Sequence, residues 1–96
     1  MAETTVEDSP ITETGVKKRL EDMYQVILHN DDRNRAEFVV LCLVRVFNHS
    51  EDLAVKIMLE AHTTGLAIAE VEAETEAKLH RDQLQSYGLN ATVEKV

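Results

Sequence analysis

The chain changes its hydrophobic period several times, and each change marks an element. From Met23 to Leu28 the pattern alternates: Tyr24, Val26 and Leu28 share one face, and Gln25, Ile27 and His29 the other. Period two predicts a strand. The polar stretch Asn30 to Asn34 reads as a loop. Asn34-Arg35-Ala36-Glu37 then reads as a variant capping box, with Asn34 as N-cap and Glu37 at the third helical position. Phe38 to Phe47 is nearly all apolar, interrupted only by Arg45. Its valines would suit a strand, but the cap and the length of the run favour a helix buried on most sides.

Asn48-His49-Ser50 is a turn, with Ser50 as the next N-cap and Glu51 and Asp52 at the positive end of the helix that follows. Leu53, Ile57 and Ala61 recur every fourth position; His62 and Gly65 mark the helix end, Gly65 as a left-handed cap. Leu66 to Val71 is a second strand. Glu74 to Tyr87 is a mostly polar helix with a thin stripe of Ala77, Leu84 and Tyr87, and Glu74 and Lys78 are spaced to support it. Gly88 stops it, and Ala91 to Val96 alternates as a third strand. The order β-α-α-β-α-β predicts an α+β sandwich: a small antiparallel three-stranded sheet packed against three helices.

Residues 1–22 break this regularity. They are rich in Thr, Glu and Asp, hold the single proline, Pro10, and end near the basic Lys17-Lys18-Arg19. That composition predicts a disordered N-terminal extension, followed by one folded domain over 23–96. Ninety-six residues allow one domain with a small core, and with no Trp, two Phe and two Tyr that core must be aliphatic.

A net charge of −8 argues against nucleic acid and against an anionic membrane surface, and favours a cationic ligand or a basic protein patch. Plain solubility would explain it equally well. The lone Cys42 lies within Val40-Leu41-Cys42-Leu43-Val44, which predicts a small buried hydrophobe and fits a reducing compartment. The N-terminus lacks the apolar segment of a signal peptide, and no apolar run reaches membrane-spanning length. A soluble protein is expected.

The candidate chemistry sits at His29-Asn30-Asp31-Asp32, where a strand gives way to a helix. The acids and the amide could cap turns, hold a metal, or grip a cation. His62 by itself would serve a helix end, and Met58 by itself would be core. A metal site would have to draw on His29, Asp31, His49, His62 and His80, none at a recognised ligand spacing, so none is expected. A carboxylate pair with His62 could do acid–base work, but no nucleophile, phosphate-loop or cofactor motif accompanies it. Neither catalysis nor a cofactor is expected.

The blocks Tyr24-Gln25-Val26-Ile27-Leu28-His29-Asn30-Asp31-Asp32, Glu37-Phe38-Val39, Ile57-Met58-Leu59-Glu60-Ala61-His62-Thr63-Thr64-Gly65 and Ala91-Thr92-Val93-Glu94-Lys95 resemble the ClpS family. The family pattern reads roughly V-I-L-x-N-D-D, E-F-V, M-L-x-x-H-x-x-G and a closing C-T-L-E. The likeness covers residues 23 to 96, and its ending is similar to the cyanobacterial and plastid branch. It implies an adaptor that binds N-degron substrate proteins by a free α-amino group and a bulky first residue (Phe, Tyr, Trp or Leu). It also implies delivery to the N-domain of a ClpA- or ClpC-type AAA+ unfoldase working with ClpP, by a monomer in the bacterial cytoplasm or the plastid stroma.

The resemblance assigns the amino group to Asn30, Asp31 and His62, with Asp32 supporting the loop. His62 must then offer an unprotonated ring nitrogen. It lines the side-chain pocket with Val39, Met58, Ala61 and Leu89, and puts Asn34 and Ala36 at the rim. It implies that the N-terminal extension serves delivery rather than degron binding. This chain departs from the family in three places. The loop usually reads N-D-D-x-T-P-M, whereas here Arg33-Asn34-Arg35-Ala36 follows Asp32, without the Thr and Pro. The Met that narrows the pocket mouth is Ala36, which would admit Ile or Val or else weaken packing on Phe and Leu. Glu74 and Lys78, the candidates for unfoldase docking, are not at the usual A-E-x-x-x-x-K spacing. The other reading is a protein-interaction module similar to the C-terminal domain of the ribosomal stalk protein, which has no use for the Asn30-Asp31-Asp32 and His62 constellation.

Overall fold

The computed structural model describes residues 22–96; the expected disorder of the N-terminal extension falls almost wholly on residues outside them. Alternation in Met23–His29 gives strand β1, and helices α1 (Ala36–Phe47) and α2 (Glu51–Thr64) follow. Then come β2 (Leu66–Ala73), helix α3 (Glu74–Ser86) and β3 (Asn90–Lys95). The order is the expected β-α-α-β-α-β, and the sheet runs β2-β1-β3 with both pairings antiparallel.

β1 therefore lies in the middle, and its inward residues Val26 and Leu28 are almost wholly buried. They meet Ala67 and Ala69 of β2, Ala91 of β3, Ala54, Ile57 and Ala61 of α2, and Ala77 and Leu84 of α3. Alanines on strands and helices alike let the layers approach closely, which is how an aliphatic core of this size packs without large aromatics. The register of β1 against β2 steps from Glu70 to Ile68 between Val26 and Ile27, leaving Ala69 as the extra residue of a bulge. The Ala69 carbonyl lies 2.8 Å from His49 Nε2, so that nitrogen carries the proton and donates.

Helix ends follow the chain's own signals at two of the expected points. Ser50 Oγ accepts from the Leu53 amide at 3.2 Å, and Gly65, at φ 101°, closes α2. The start of α1 is a correction. Its N-cap is Arg35, whose side chain caps nothing, and Asn34 lies outside the helix because its side chain is engaged elsewhere.

The burial of α1 is a second correction. Only Cys42 and Leu43 are buried, and Leu41 is 48% exposed. The helix packs on α2 and α3 and presents a single stripe inward, so the nine apolar residues of this ten-residue run outnumber the positions that can face the core. Leu53, expected in the α2 stripe, is likewise exposed, and Ala54 takes its place. Cys42 is buried as expected, and burial pushes its thiol pKa up, so it is no ready nucleophile.

Leu43 is fully buried at the junction of α1 with the core. Truncating it to Ala should cost about 2–5 kcal/mol, a large share of the ~5–15 kcal/mol that such a domain has. The expected outcome for Leu43→Ala is a thermal midpoint lower by about 10 °C or more, measured by circular dichroism. Leu41→Ala, on the exposed side, should move it by only a few degrees.

Candidate functional site

The loop after β1 is built around one carboxylate. Asp31 Oδ1 accepts from the backbone amides of Arg33 at 3.0 Å and Asn34 at 2.9 Å, and from Asn34 Nδ2 at 3.3 Å. Asn34 Nδ2 also lies 3.2 Å from Asp31 Oδ2 and donates to the Gly88 carbonyl at 2.9 Å. Asn34 thereby straps the loop to the turn between α3 and β3. This is the engagement that keeps it from capping α1. Burial raises the Asp31 pKa, but the hydrogen bonds from the Asn34 amide and side chain and the Arg33 amide outweigh it, helped by the Arg33 charge. The carboxyl is held below its ordinary value.

The opposite wall is set by the end of α2. The amide of Asn30 donates to the Gly65 carbonyl at 3.0 Å, which ties the end of β1 to the cap of α2. His62 lies in the last turn of that helix. One hydrogen bond between two chain turns thus brings His62 to the same mouth as Asn30 and Asp31.

Beneath that mouth is a cavity of about 240 Å³, smaller than the ~300–1,000 Å³ of sites for drug-sized ligands and suited to a single side chain. Asn30, Asp31, Asp32, Asn34 and His62 supply its polar lining. Ala36, Val39, Met58 and Ala61 supply apolar lining, joined by Leu28 and His29. Leu28 was not singled out as a site residue in the sequence, and His29 only as part of the polar cluster, although their position directly before Asn30 is a usable signal. Leu89 is not among the lining residues. Gly88, at φ 90°, turns the chain inward there, and Leu89 is buried in the core.

Glu74 and Lys78 stand apart from this cavity at the start of α3, where they pair with each other at 2.8 Å. Their mutual hydrogen bond lowers the Glu74 pKa and raises that of Lys78, and both are solvent-exposed. The other histidines are occupied separately: His29 Nε2 lies 2.7 Å from Thr92 Oγ1, and His80 Nδ1 lies 2.6 Å from Glu72 Oε2. Among the described residues no three His, Cys, Asp or Glu side chains gather as a metal site would require. None of the described helices is long and apolar enough to cross a membrane.

Fold and pocket together define a small α+β binding domain. Residues 19–92 match the family described as ATP-dependent Clp protease adaptor protein ClpS, and the chain belongs to that family. It is 45% identical over 78 residues to the chloroplastic Clp protease adapter protein CLPS1 of Arabidopsis thaliana. That match spans 80% of this chain but only 49% of the plant protein. It is 39% identical to ClpS of Synechococcus elongatus, across 85% of this chain and 87% of that one. Among solved structures it resembles Agrobacterium tumefaciens ClpS2 bound to L-phenylalaninamide, with a TM-score of 0.76 and 32% identity, covering 79% of this chain and 99% of that one. As a ClpS adaptor the domain works with Clp protease components and their substrates, and it is not an enzyme.

Asp31 also couples the loop to pH. Its folded pKa lies below its unfolded one, so its contribution to stability is complete above the ordinary carboxylate value of about 3.9 and is lost as pH falls through the lowered folded value. Asp31→Asn is expected to lower the thermal midpoint at pH 7 by about 4–8 °C, a loss of about 1 kcal/mol. The gap between the two proteins should narrow as the pH is taken below about 4. A gap that stayed constant down to pH 3 would mean that the Asp31 charge contributes nothing.

Proposed function

We propose that the pocket receives the first residue of a substrate protein carrying a free α-amino group, and that the adaptor delivers that substrate to a ClpA- or ClpC-type unfoldase. The observation that carries this reading is the grouping of Asn30, Asp31 and His62 around the mouth of a cavity lined by Ala36, Val39, Met58 and Ala61. An ammonium group has three N–H donors and nothing to accept with. A mouth made of an amide oxygen, a carboxylate and an unprotonated imidazole nitrogen matches it. Asp31 Oδ1 accepts three contacts from the loop, while Oδ2 accepts one, at 3.2 Å, and keeps acceptor capacity for a ligand. An internal peptide amide has one N–H and no charge, so it would leave acceptors unpaired, and the site would discriminate against it.

The side chain contributes the larger attraction. An aromatic side chain buries about 150–250 Å², which at roughly 25 cal/mol per Å² is about 4–6 kcal/mol before the entropy of association is subtracted. Phe, Tyr, Trp and Leu are the expected first residues. With Ala36 where the family has Met, Ile or Val is expected to enter as well, since the mouth is wider. The likeness to Agrobacterium ClpS2, which holds L-phenylalaninamide, supports the assignment of the pocket.

Docking on the unfoldase N-domain would use the exposed side of α3, with Glu74 and Lys78 as candidates, while residues 1–22 serve delivery. The adaptor acts as a monomer. The bacterial cytoplasm or the plastid stroma is its expected place, in keeping with the bacterial and chloroplastic relatives.

Peptides with N-terminal Phe, Leu, Val and Ala, read by fluorescence anisotropy, test the pocket. Phe with a free amine should bind at least about 100-fold more tightly than its N-acetyl form, since the acetylated terminus loses the charge and two of the donors. Ala36→Met should reduce binding of Val more than that of Phe. Strong binding of Phe and Leu with none of Val in the unaltered protein would refute the widened mouth.

A further inference from the structure

The loop at the rim of the pocket carries two guanidinium groups, of which only the Arg33 charge acts on the amino-group site, through Asp31. Arg33 and Arg35 flank Asn34 in the loop, one residue away on either side of the pocket-lining Asp32, Asn34 and Ala36. Both are exposed. The ion pairs among the described residues are Lys78–Glu74, His80–Glu72 and Arg81–Asp82, and none of them engages either arginine.

Arg35 is also misplaced by the rules of local structure. It is the N-cap of α1, a position where Ser, Thr, Asp or Asn stabilises and a cation is opposed by the helix dipole. Its side chain makes no cap hydrogen bond, and Glu37 supplies the only acidic side chain of the first turn. A residue that breaks a local rule without a gain inside the fold points to a gain outside it.

We propose that Arg33 and Arg35 select substrates with an acidic side chain, Asp or Glu, at the second or third residue behind the bulky one. This rests on the reading of the pocket given above. With the amine held at Asn30, Asp31 and His62 and the first side chain in the cavity, the next residues pass over the rim. An extended chain advances about 3.3–3.6 Å per residue, so the second and third side chains fall within the span of two flexible arginines. A carboxylate there meets two guanidinium groups and the uncapped first turn of α1.

The protein as a whole favours the opposite result. A net charge of −8 repels acidic peptides and attracts basic ones. At physiological ionic strength, however, charges farther than about 8 Å are screened, and the rim acts at contact distance. The local and global fields thus predict opposite signs, which makes the experiment decisive.

Peptides beginning Phe-Glu-Glu, Phe-Ala-Ala and Phe-Lys-Lys, each with free and acetylated termini, would be titrated into the full chain at 50, 150 and 500 mM salt. The expected result at 150 mM is binding of Phe-Glu-Glu roughly three- to tenfold tighter than Phe-Lys-Lys, shrinking toward equality at 500 mM. Arg33→Ser and Arg35→Ser should each reduce that ratio. Arg35→Ser supplies an N-cap, so the helix start is not put at risk. Equal binding of the three sequences, or a preference for Phe-Lys-Lys, would overturn the proposal while leaving the pocket reading intact. An acidic preference kept in both variants would take it away from these arginines, and a variant that lost Phe-Ala-Ala as well would assign them to the binding machinery instead. Failure of every free terminus to bind would overturn the pocket reading and this proposal together.

Discussion

The Asp31 carboxylate is the constraint on which the site depends. With Oδ1 it gathers three N–H groups of the residues just after it, and so folds the loop that begins where β1 ends. Its second oxygen stays at the mouth of the cavity. One side chain therefore fixes the loop while also lining the cavity, and its lowered pKa keeps it charged there. Asn34 completes the arrangement by reaching on to the Gly88 carbonyl. Where the family pattern has Thr and Pro after the acidic pair, this chain folds its loop through hydrogen bonds, a softer restraint than a proline ring.

The second constraint comes from the other side. The hydrogen bond from the Asn30 amide to the Gly65 carbonyl joins two chain turns that are far apart in sequence. Gly65 can make that turn because it adopts a left-handed backbone without a side chain to oppose it. Strand end and helix end then share one opening, with acceptors above and Met58, Val39 and Ala61 within. The small alanine-rich core beneath holds these elements close, and its members Leu28 and Ala61 also line the opening. The pocket is in this sense a by-product of how a central strand and two successive helices meet.

Much of this was legible in the sequence because it rests on local periodicity. The strand β1, the Ser50 and Gly65 caps and the order of elements follow from alternation and from residues with one strong backbone preference. Two features were not legible. Asn34 carries a good capping signal, yet long-range bonding to Gly88 draws it away, and no local rule registers a partner 54 residues distant. The apolar run of α1 shows that the helix is hydrophobic, but not how much of it the sandwich has room to cover. Leu89 is a related case: its neighbour Gly88 touches the site through Asn34, but the turn at Gly88 directs Leu89 into the core. The mouth residues themselves were found through the resemblance to a family, since an amide, two acids and a histidine at scattered positions carry no periodic signal.

The central claim is that this cavity takes a side chain whose own α-amino group is held at the mouth. Its most direct test is a nitrogen-15 NMR titration of the protein with L-phenylalaninamide, with N-acetyl-L-phenylalaninamide as the control. The account predicts saturable shifts of the amides of Asn30, Asp31, Ala36, Ala61 and His62 with the free amine, and none with the acetylated compound at the same concentration. Shifts that were equal for the two compounds, or that centred on α3, would contradict it.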